Sequence, residues 1–571
     1  MMAFELDEVR RLTGPNLLSN EPGAIIDVFF SDVDAELVID CWNKHLYHCQ
    51  VTLGPDHAWQ STCYDRVYDG GASMSISAPM DLLYSACDLI ELAWDLCAAE
   101  LSNDNQKSVV DMLPRLAALK GTIAEEKHPE LLTFMLEAEK HNVVCLADDD
   151  ELSLGMGENS QTWAIDSFPN VTSVSWQDYS QIPLALITGT NGKSTSVRLA
   201  AEIAKAAGIK AGVTSTDFIK VGDVIIDEGD YSGPGGARML LRDKRSEMAF
   251  LEVARGGLLR RGLPVDRAQA ALVTNVASDH LGQYGINTVE EIALVKTMVS
   301  KGIMPGDDYN VGTLVLNADD PLLVKESSKL NVPICWFSID KQNPIIKQAQ
   351  ALQKPCVYVS NNKLIYSYHE QVSIAEISNI PMTVNGTAKH NIENALGVIG
   401  LCKALNISDE HICLGLTRFG SNPNDNPGRG NIYQVNGVTV IIDFAHNSHS
   451  MQALVNMTSN MPSNKKHVMF SHGGDRSDQE ILDVAAVVRE LQPDTYVLTE
   501  IEKYLRGREL NEISHMVKDD LLAAGVSEES ILLASDPLDG TKKIMQRAQP
   551  GDIVLLFVLA DRDKVQAYLT E

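Results

Sequence analysis

The sequence lacks the features that mark several classes of protein. It has no stretch of 18 apolar residues that could span a membrane. Its beginning, MMAFELDEVRRL, has no basic segment followed by an apolar run. Low-complexity tracts and internal repeats are also absent. We therefore expect no membrane span, no membrane partner and no signal peptide.

Cysteines are scattered, and the ten of them include no CxxC pair. This pattern favours a reducing cytoplasm over a disulfide framework, so we expect a cytoplasmic protein. The segment CWNKHLYHC holds Cys41, His45, His48 and Cys49. Its spacing matches no zinc pattern, and we prefer buried thiols on a helical or strand surface to a metal site.

Positive charge is scarce relative to negative charge. The chain has 47 Lys and Arg residues against 77 Asp and Glu residues, a formal net charge of −30. The resulting field repels phosphates, which argues against nucleic acid as a partner. An apolar content of 44% is that of a globular protein. The length of 571 residues predicts roughly three or four domains of about 150 residues.

The segment LALITGTNGKST, residues 184–195, predicts a phosphate-binding turn. An apolar run typical of a buried strand leads to a turn between Gly189 and Gly192, and helical spacing follows as far as Gly208. Backbone N–H groups at such a helix start bind phosphates, and a Lys adds charge. The general P-loop pattern needs a further glycine where this chain has Ile187. We expect nucleotide binding by Gly189, Thr190, Asn191, Gly192, Lys193, Ser194 and Thr195, with an ordinary glycine turn as the alternative.

Alternating apolar runs and helical patterns predict an α/β fold with parallel sheets from residue 181 onward. Expected strands of a central domain, 181–425, include 184–188, 248–253, 271–274 and 313–317. A C-terminal Rossmann-like domain, 426–571, has expected strands at 438–444, 467–471, 494–499 and 552–558. Residues 1–105 predict a separate α+β domain with a strand at 24–30, a turn-rich stretch at 65–71 and a helix at 80–101. Residues 106–180 are interpreted as a connector, and the polar stretch 103–130 is expected to be helical, with Pro114 and Pro129 as punctuation.

Several polar residues follow expected strands, where open α/β sheets bind their ligands. Glu252 ends one strand and is suited to hold Mg²⁺ together with Ser194 or Thr195. His280 follows the run LVTN, and Lys296 lies in a helical stretch beyond it. Taken singly, each of these residues also has an ordinary structural interpretation.

Seven segments in order make the chain similar to a known family. They are GTNGKST, LEVARGG, VTNVASDHLGQYG, VLNADDP, GTAKHNIENALG, NPGRG and DFAHNSHSM. From residue 181 to 571 the chain resembles the Mur ligases and folylpolyglutamate synthetases, which are ATP-dependent amide ligases. The segments TSTDFIKVGDVIIDEGDYSGPGGARM and RRLTGPNLLS resemble the cyanophycin synthetase branch of this family. That branch has an ATP-grasp domain between these two parts, and residues 106–180 resemble a remnant of it. Where the branch tends towards DYGHNP, this chain has DFAHNSHS.

The resemblance implies a role for each candidate residue. Lys193 would bind phosphates, Ser194, Thr195 and Glu252 a first Mg²⁺, and His280 and Lys296 a second, with Lys296 carbamylated as in many relatives. Asn317, His390, Asn391 and Asn394 would line the nucleotide base, and Arg429 and Asp443 would reach phosphate and ribose. The incoming amino acid or the acyl end would meet His446, Arg476, Arg506 and Arg508, although a surface turn explains the last two equally well.

The function implied is that of an ATP-dependent ligase that activates a carboxylate as an acyl phosphate and couples it to an amino acid. Its cofactors would be ATP and Mg²⁺, and its second substrate a carboxylate-bearing molecule that contains Asp or Glu. Two alternatives are an ATP-binding regulatory subunit without activity and a peptidoglycan-type Mur ligase. The relatives suggest a homo-oligomer, but the sequence does not determine the oligomeric state.

Overall fold

Four sheets organise the residues that the structure describes, and the two larger ones consist mainly of parallel strands. The computed structural model describes residues 4–102, 105–306, 309, 312–420 and 422–570, with only the backbone for 105–111. The predicted α/β class is confirmed. In the described part of the chain, no helix is long and apolar enough to cross a membrane. All ten cysteines are free thiols.

The N-terminal unit packs two helices on a four-stranded antiparallel sheet, and a third helix packs against these two. Its elements are β1 (Phe4–Leu12), β2 (Gly23–Phe30), α1 (Ala35–Leu53), β3 (Cys63–Tyr68), β4 (Gly71–Ser77), α2 (Leu83–Leu101) and α3 (Asn105–Glu126), with the strand order β1-β2-β4-β3.

Two expectations for the N-terminal part of the chain were wrong. Residues 65–71 are a hairpin rather than a turn-rich stretch, because only Asp69 and Gly70 form the turn between β3 and β4. Pro114 does not interrupt its helix. A proline removes one backbone hydrogen bond from a helix. The side chains of Leu116, Leu119 and Ile123 pack in the N-terminal core and hold this helix together despite that loss.

A small unit follows, with α4 (Pro129–Lys140) and a three-stranded antiparallel sheet. The strands are β5 (Cys145–Ala147), β6 (Glu151–Leu154) and β7 (Gln161–Ala164). Leu131, Phe134, Leu152 and Leu154 form a core of its own. Its interpretation as a remnant of a lost domain stays a prediction.

The central unit is built on an eleven-stranded sheet in the order β11-β10-β9-β12-β8-β13-β14-β15-β16-β17-β18. The seven strands from β9 to β16 in this order run parallel. Its elements are β8 (Leu184–Thr188), α5 (Lys193–Ala206), β9 (Ala211–Thr214), β10 (Phe218–Val221), β11 (Val224–Glu228), α6 (Pro234–Leu241), β12 (Met248–Glu252), α7 (Arg255–Arg261), β13 (Ala270–Val273), α8 (Val289–Thr297), β14 (Thr313–Asn317), α9 (Pro321–Ser327), β15 (Ile334–Ser338), α10 (Pro344–Ala351), β16 (Cys356–Ser360), β17 (Lys363–Tyr368), β18 (Glu370–Glu376), α11 (Lys389–Ala404) and α12 (Asp409–Arg418).

The strands of the central sheet are buried on both faces. Leu184–Thr188 and Met248–Glu252 are buried at every position, as expected for parallel strands covered by helices on both sides. β8 lies between β12 and β13, so the carboxyl ends of these three strands meet at one edge. This juxtaposition places the turn after β8 beside the end of β12 and the loop after β13.

The C-terminal unit has six strands in the order β19-β20-β24-β21-β22-β23, of which only β19 is antiparallel. Its elements are β19 (Asn431–Val435), β20 (Val438–Asp443), α13 (Ser448–Ser459), β21 (Lys466–Phe470), α14 (Asp478–Glu490), β22 (Thr495–Thr499), α15 (Glu512–Ala523), β23 (Ile531–Ala534), α16 (Pro537–Arg547), β24 (Ile553–Phe557) and α17 (Arg562–Thr570). Capping boxes start two of its helices, Asn447 with Ser450 at α13 and Ser477 with Glu480 at α14.

Candidate functional site

Two glycines shape the turn between β8 and α5. Gly192 has φ +87°, and a Cβ atom there would lie 2.2 Å from the Asn394 Oδ1 atom. A Cβ atom on Gly189 would lie 1.8 Å from the Thr274 Oγ1 atom. Ile187, where the general pattern has a third glycine, lies inside the buried strand β8. The shorter turn therefore needs glycine at only these two positions.

The turn is held in place before any ligand binds. The Lys193 ammonium donates to the carbonyl oxygens of Gly189 and Thr190, both at 3.0 Å. The loop after β13 supplies the rest: the Asn191 amide donates to Asn275 Oδ1 at 2.9 Å, and the Thr274 hydroxyl donates to the Asn191 carbonyl at 2.6 Å. Sequence analysis missed Thr274 and Asn275. Their position directly after an expected strand was the signal that could have identified them.

Glu252, at the end of β12, lies beside the first turn of α5. Its side chain is buried, and Oε1 accepts a hydrogen bond from the Ser194 hydroxyl at 3.2 Å. Its other oxygen, Oε2, is buried without a hydrogen-bond partner. Burial raises the pKa of Glu252, and the charges of Lys193, Arg429 and Arg198 oppose that shift. A buried carboxylate oxygen that lacks a partner, next to a hydroxyl, fits a hard divalent cation such as Mg²⁺.

The two hydroxyls of the P-loop have different neighbours. Ser194 lies within 3.3 Å of the Thr216 hydroxyl and faces Glu252. The Thr195 hydroxyl instead accepts a hydrogen bond from Asn426 Nδ2 at 3.2 Å. Ser194 is therefore the hydroxyl that shares its surroundings with Glu252.

His280 lies in the loop after β13 and contacts the C-terminal unit. Its Nε2 atom is 3.1 Å from Arg476 Nη2, and its Nδ1 atom is 3.7 Å from Asp475 Oδ2. Burial and the charges of Arg476 and Arg255 lower the pKa of His280 to about 4, against the opposing effect of Asp279. The ring is therefore neutral at pH 7. Because an arginine can only donate, Nε2 accepts this bond and the ring proton is on Nδ1.

Asp279 is a site residue that sequence analysis missed. It forms a 2.9 Å ion pair with Arg476. Burial tends to raise its pKa, but the neighbouring His446, His280, Arg476 and Lys193 together lower it to about 2. Asp279 therefore stays ionised and links the loop of His280 to the C-terminal unit. Its place next to His280 in the segment SDHLG was the available signal.

Lys296, in α8, is 4% exposed. Burial lowers its pKa well below the ordinary value, and the charge of Lys193 contributes, while Asp279 opposes. Burial favours the free amine of a lysine, and only the free amine is a nucleophile that can react with carbon dioxide. The surroundings of Lys296 are therefore compatible with the predicted carbamylation.

The C-terminal unit contacts the P-loop directly. Asn447 and Asn191 exchange side-chain hydrogen bonds of 3.1 and 3.3 Å, and Asn191 Nδ2 lies 3.0 Å from His449 Nδ1. Arg429 Nη2 donates to the Ser194 hydroxyl at 3.4 Å. The segment DFAHNSHS therefore supplies residues that cover the phosphate-binding turn, and neither Asn447 nor His449 was singled out from the sequence.

Between the two units lies a cleft of about 760 Å³. A smaller adjoining cavity of about 90 Å³ lies beside α11. The predicted residues that line the larger cleft are Thr190, Asn191, Gly192, Lys193, Ser194, Thr195, Glu252, His280, Arg429, His446, Arg476 and Arg506. Those at the smaller cavity include His390, Asn391, Asn394 and Asp443.

The residues at the smaller cavity are strongly buried. Burial lowers the pKa of His390 to about 4 and raises that of Asp443 to about 6, despite the charge of Arg429. Asn391 donates to the Met382 carbonyl at 2.9 Å and accepts from Asn394 at 3.3 Å. These contacts fix the amide groups along the cavity wall.

Four predicted residues lie outside both linings: Gly189, Lys296, Asn317 and Arg508. Asn317 donates to the Thr274 carbonyl at 3.1 Å and so supports the loop that holds the P-loop. Arg508 donates to the carbonyls of Gly474 and Arg476 and pairs with Asp478 and Glu512. Arg506 reaches the cleft and forms an ion pair with Asp475.

The fold and the site define an α/β protein with a P-loop in its central unit and a second, Rossmann-like unit across it. Residues 187–402 match the Mur ligase middle domain, and residues 428–557 match the glutamate ligase domain of Mur ligases. Together the two matches cover more than half of the chain, which belongs to the Mur ligase family.

Curated relatives include the cyanophycin synthetases of Crocosphaera subtropica (strain ATCC 51142 / BH68) and Geminocystis herdmanii (strain PCC 6308). Each is 33% identical over 383 residues, which are 66% of this chain and 42% of the relative. The chain therefore spans less than half the length of these two relatives. The structure of E. coli FolC in complex with DHPP and ADP has a TM-score of 0.50 at 18% identity, covering 68% of this chain and 87% of that one. That likeness shows a shared fold.

Proposed function

We propose that the protein is an ATP-dependent ligase that forms a C–N bond between a carboxylate and the amine of an amino acid. One observation carries the proposal: the half-satisfied, buried Glu252 carboxylate lies against Ser194 at the start of the P-loop helix, in one cleft with His280 and Arg476. A site for phosphates alone needs no buried carboxylate at that position. A site for phosphates with a divalent cation does.

The chemistry follows from the poor leaving ability of a carboxylate oxygen. The substrate carboxylate attacks the γ-phosphorus of ATP and ADP leaves, which gives an acyl phosphate. The amine then attacks the acyl carbon, phosphate leaves, and the amine loses a proton. Lys193 and the amides of the turn bind the phosphates and stabilise the charge on their oxygens. Mg²⁺ held by Ser194 and Glu252 would neutralise phosphate charge.

The cleft also favours an acidic acceptor substrate. Arg429, Arg476, Arg506 and Lys503 line it together with the P-loop, and carboxylates such as Asp217 and Asp475 lie among them. Clustered cations in a partly desolvated cleft attract carboxylates and phosphates. We therefore propose a substrate that contains Asp or Glu and an amino acid as the second substrate. Carbamylation of Lys296, a homo-oligomeric state and a cytoplasmic location remain part of the proposal.

Release of ADP tests the proposal. The protein is incubated with ATP, Mg²⁺, pooled amino acids and short Asp- or Glu-containing peptides, and ADP is measured by a coupled assay. We expect ADP release that needs both pools and disappears in Lys193→Ala. The matched control is Lys205→Ala, at the other end of α5, where the lysine is exposed and pairs only with Asp223. Tight ATP binding without ADP release in any mixture would contradict a ligase and support a regulatory, ATP-binding subunit.

A further inference from the structure

Two helices of the N-terminal unit bring three metal-binding side chains together, with a fourth, Cys97, beside them. Cys41 and His45 lie one turn apart on α1, and Cys97 and Glu100 lie one turn apart on the adjacent α2. The ligand atoms of Cys41, His45 and Glu100 all lie within 4.8 Å of one another. The Cys97 thiol donates a hydrogen bond to the Val38 carbonyl oxygen at 3.6 Å and lies beside the Cys41 thiol. Residues three or four apart on a helix share a face, and here two such faces oppose each other.

The cluster extends from the core to the surface. Cys97 is fully buried and Cys41 nearly so, whereas 43% of the Glu100 side chain is exposed. His45 Nε2 lies 2.8 Å from Glu100 Oε2, and the exposed Lys44 pairs with the same carboxylate at 2.6 Å. The buried end of the cluster therefore consists of thiols. At its solvent-exposed end, Glu100 is paired with the exposed Lys44.

Cysteine binds metals as the thiolate, so a bound cation would displace one proton from each thiol.

We propose that Cys41, His45, Cys97 and Glu100 form a binding site for a thiophilic divalent cation of the Zn²⁺ type. Two thiolates, an imidazole and a carboxylate are the donor set of a tetrahedral zinc site. Thiolates disfavour Mg²⁺ and Ca²⁺, so this site is chemically distinct from the one at Glu252. On binding, Zn²⁺ gains two S–Zn bonds, one N–Zn bond and one O–Zn bond, two protons leave, and Lys44 gives up Glu100.

The neighbouring His48 and Cys49 do not belong to the cluster, although the sequence places them in the same segment. His48 is exposed, and Cys49 is buried elsewhere in the N-terminal core. Only Cys41 and His45 of this segment lie on the helix face that contains the cluster, so substitutions at the neighbouring His48 and Cys49 serve as controls. Cys63 offers a further control, because it is an exposed free thiol on β3.

The test is a zinc titration of the full chain against a chromophoric chelator, with excess Mg²⁺ present so that the Glu252 site does not contribute. We expect one equivalent of Zn²⁺ per chain, the release of two protons, and an intense thiolate-to-metal absorption band when Co²⁺ replaces Zn²⁺. His45→Ala and Glu100→Gln, which change surface side chains, should weaken binding at least about tenfold. Cys41→Ser should abolish the thiolate band or shift it strongly.

His48→Ala and Cys63→Ser should bind as the unchanged protein does. The proposal is overturned if no stoichiometric zinc binds, if the cobalt form has no thiolate band, or if His45→Ala and His48→Ala bind zinc equally well. Because the His45 and Glu100 variants leave the core intact, a folding defect of Cys41→Ser does not decide the result.

Discussion

Gly192→Ala is expected to weaken nucleotide binding about 30-fold, because it distorts the P-loop from within. Gly192 precedes α5 with φ +87°, and Gly208 follows the same helix with φ +77°. An alanine at either position takes a left-handed conformation that costs about 1–2 kcal/mol. Only at Gly192 does the new Cβ atom meet anything: Asn394 Oδ1 lies 2.2 Å away, whereas nothing lies within 4 Å at Gly208.

The contact with Asn394 determines how much nucleotide affinity Gly192→Ala should lose. Its side chain must move by about 1 Å to restore an ordinary carbon–oxygen contact, and it then loses its 3.3 Å hydrogen bond to Asn391. A buried hydrogen bond that is broken costs about 1–3 kcal/mol. If roughly 2 kcal/mol of this strain energy opposes nucleotide binding, the affinity for the nucleotide falls about 30-fold.

The assay compares three variants by calorimetric ADP titration in Mg²⁺ and by urea unfolding. Gly208→Ala should lose about 1–2 kcal/mol of unfolding free energy and bind ADP as before. Gly192→Ala should lose both stability and affinity. The double variant Gly192→Ala/Asn394→Ala, which removes the obstructing amide, should regain part of the affinity relative to Gly192→Ala. Unchanged ADP affinity in Gly192→Ala, or an equal loss in Gly208→Ala, would refute this account of the turn.

Two further predictions concern residues around the site. Burial and the charges of Asp319 and Asp320 raise the pKa of Glu393 to about 7, so the folded protein keeps this proton between about pH 4.5 and 7 while the unfolded chain loses it. The unfolding free energy should therefore fall by about 1–3 kcal/mol across this range as pH rises. In urea unfolding, Glu393→Gln should show a flatter dependence of this free energy on pH, whereas the exposed Glu410→Gln should show the same dependence as the unchanged protein. Identical pH dependences in all three proteins would contradict the raised pKa of Glu393. Arg66, from β3, pairs with Glu291 at 2.9 Å and donates to the carbonyls of Tyr284 and Gly285, which lie between His280 and Lys296 in the sequence. Arg66→Ala should lower ADP-releasing turnover roughly 10- to 30-fold and leave ADP affinity unchanged, because the lost charged hydrogen bonds are worth about 1.5–2 kcal/mol. The control Arg115→Ala, which loses a surface ion pair with Asp95, should leave turnover unchanged. Equal turnover in the two variants would show that the N-terminal unit does not support this loop.

Much of the fold could be predicted because its signals are local. The runs 184–188 and 313–317 form strands with those bounds, and the expected strands at 438–444 and 552–558 are β20 and β24 within one residue at each end. Buried parallel strands consist of short apolar runs bounded by turn residues, and periodicity identifies them without knowledge of partners. The hairpin at residues 63–77 was missed, because the polar residues of β3 on its exposed face resemble a loop.

Within the site, the sequence by itself determined which groups are candidates for the chemistry: the glycines and the lysine of the turn, the carboxylate of Glu252 and the cations of the last unit. Tertiary structure alone decided their partners. It assigned Ser194 rather than Thr195 to Glu252, placed Arg508 behind the loop of Arg476, and brought Asn447 onto Asn191 across 256 positions. The physical reason is that a residue type fixes what a side chain can donate, accept or ionise, whereas burial and contact depend on which distant segments pack against it. The same holds for the metal cluster, which joins α1 to α2 through a helix pairing that the spacing of CWNKHLYHC could not reveal.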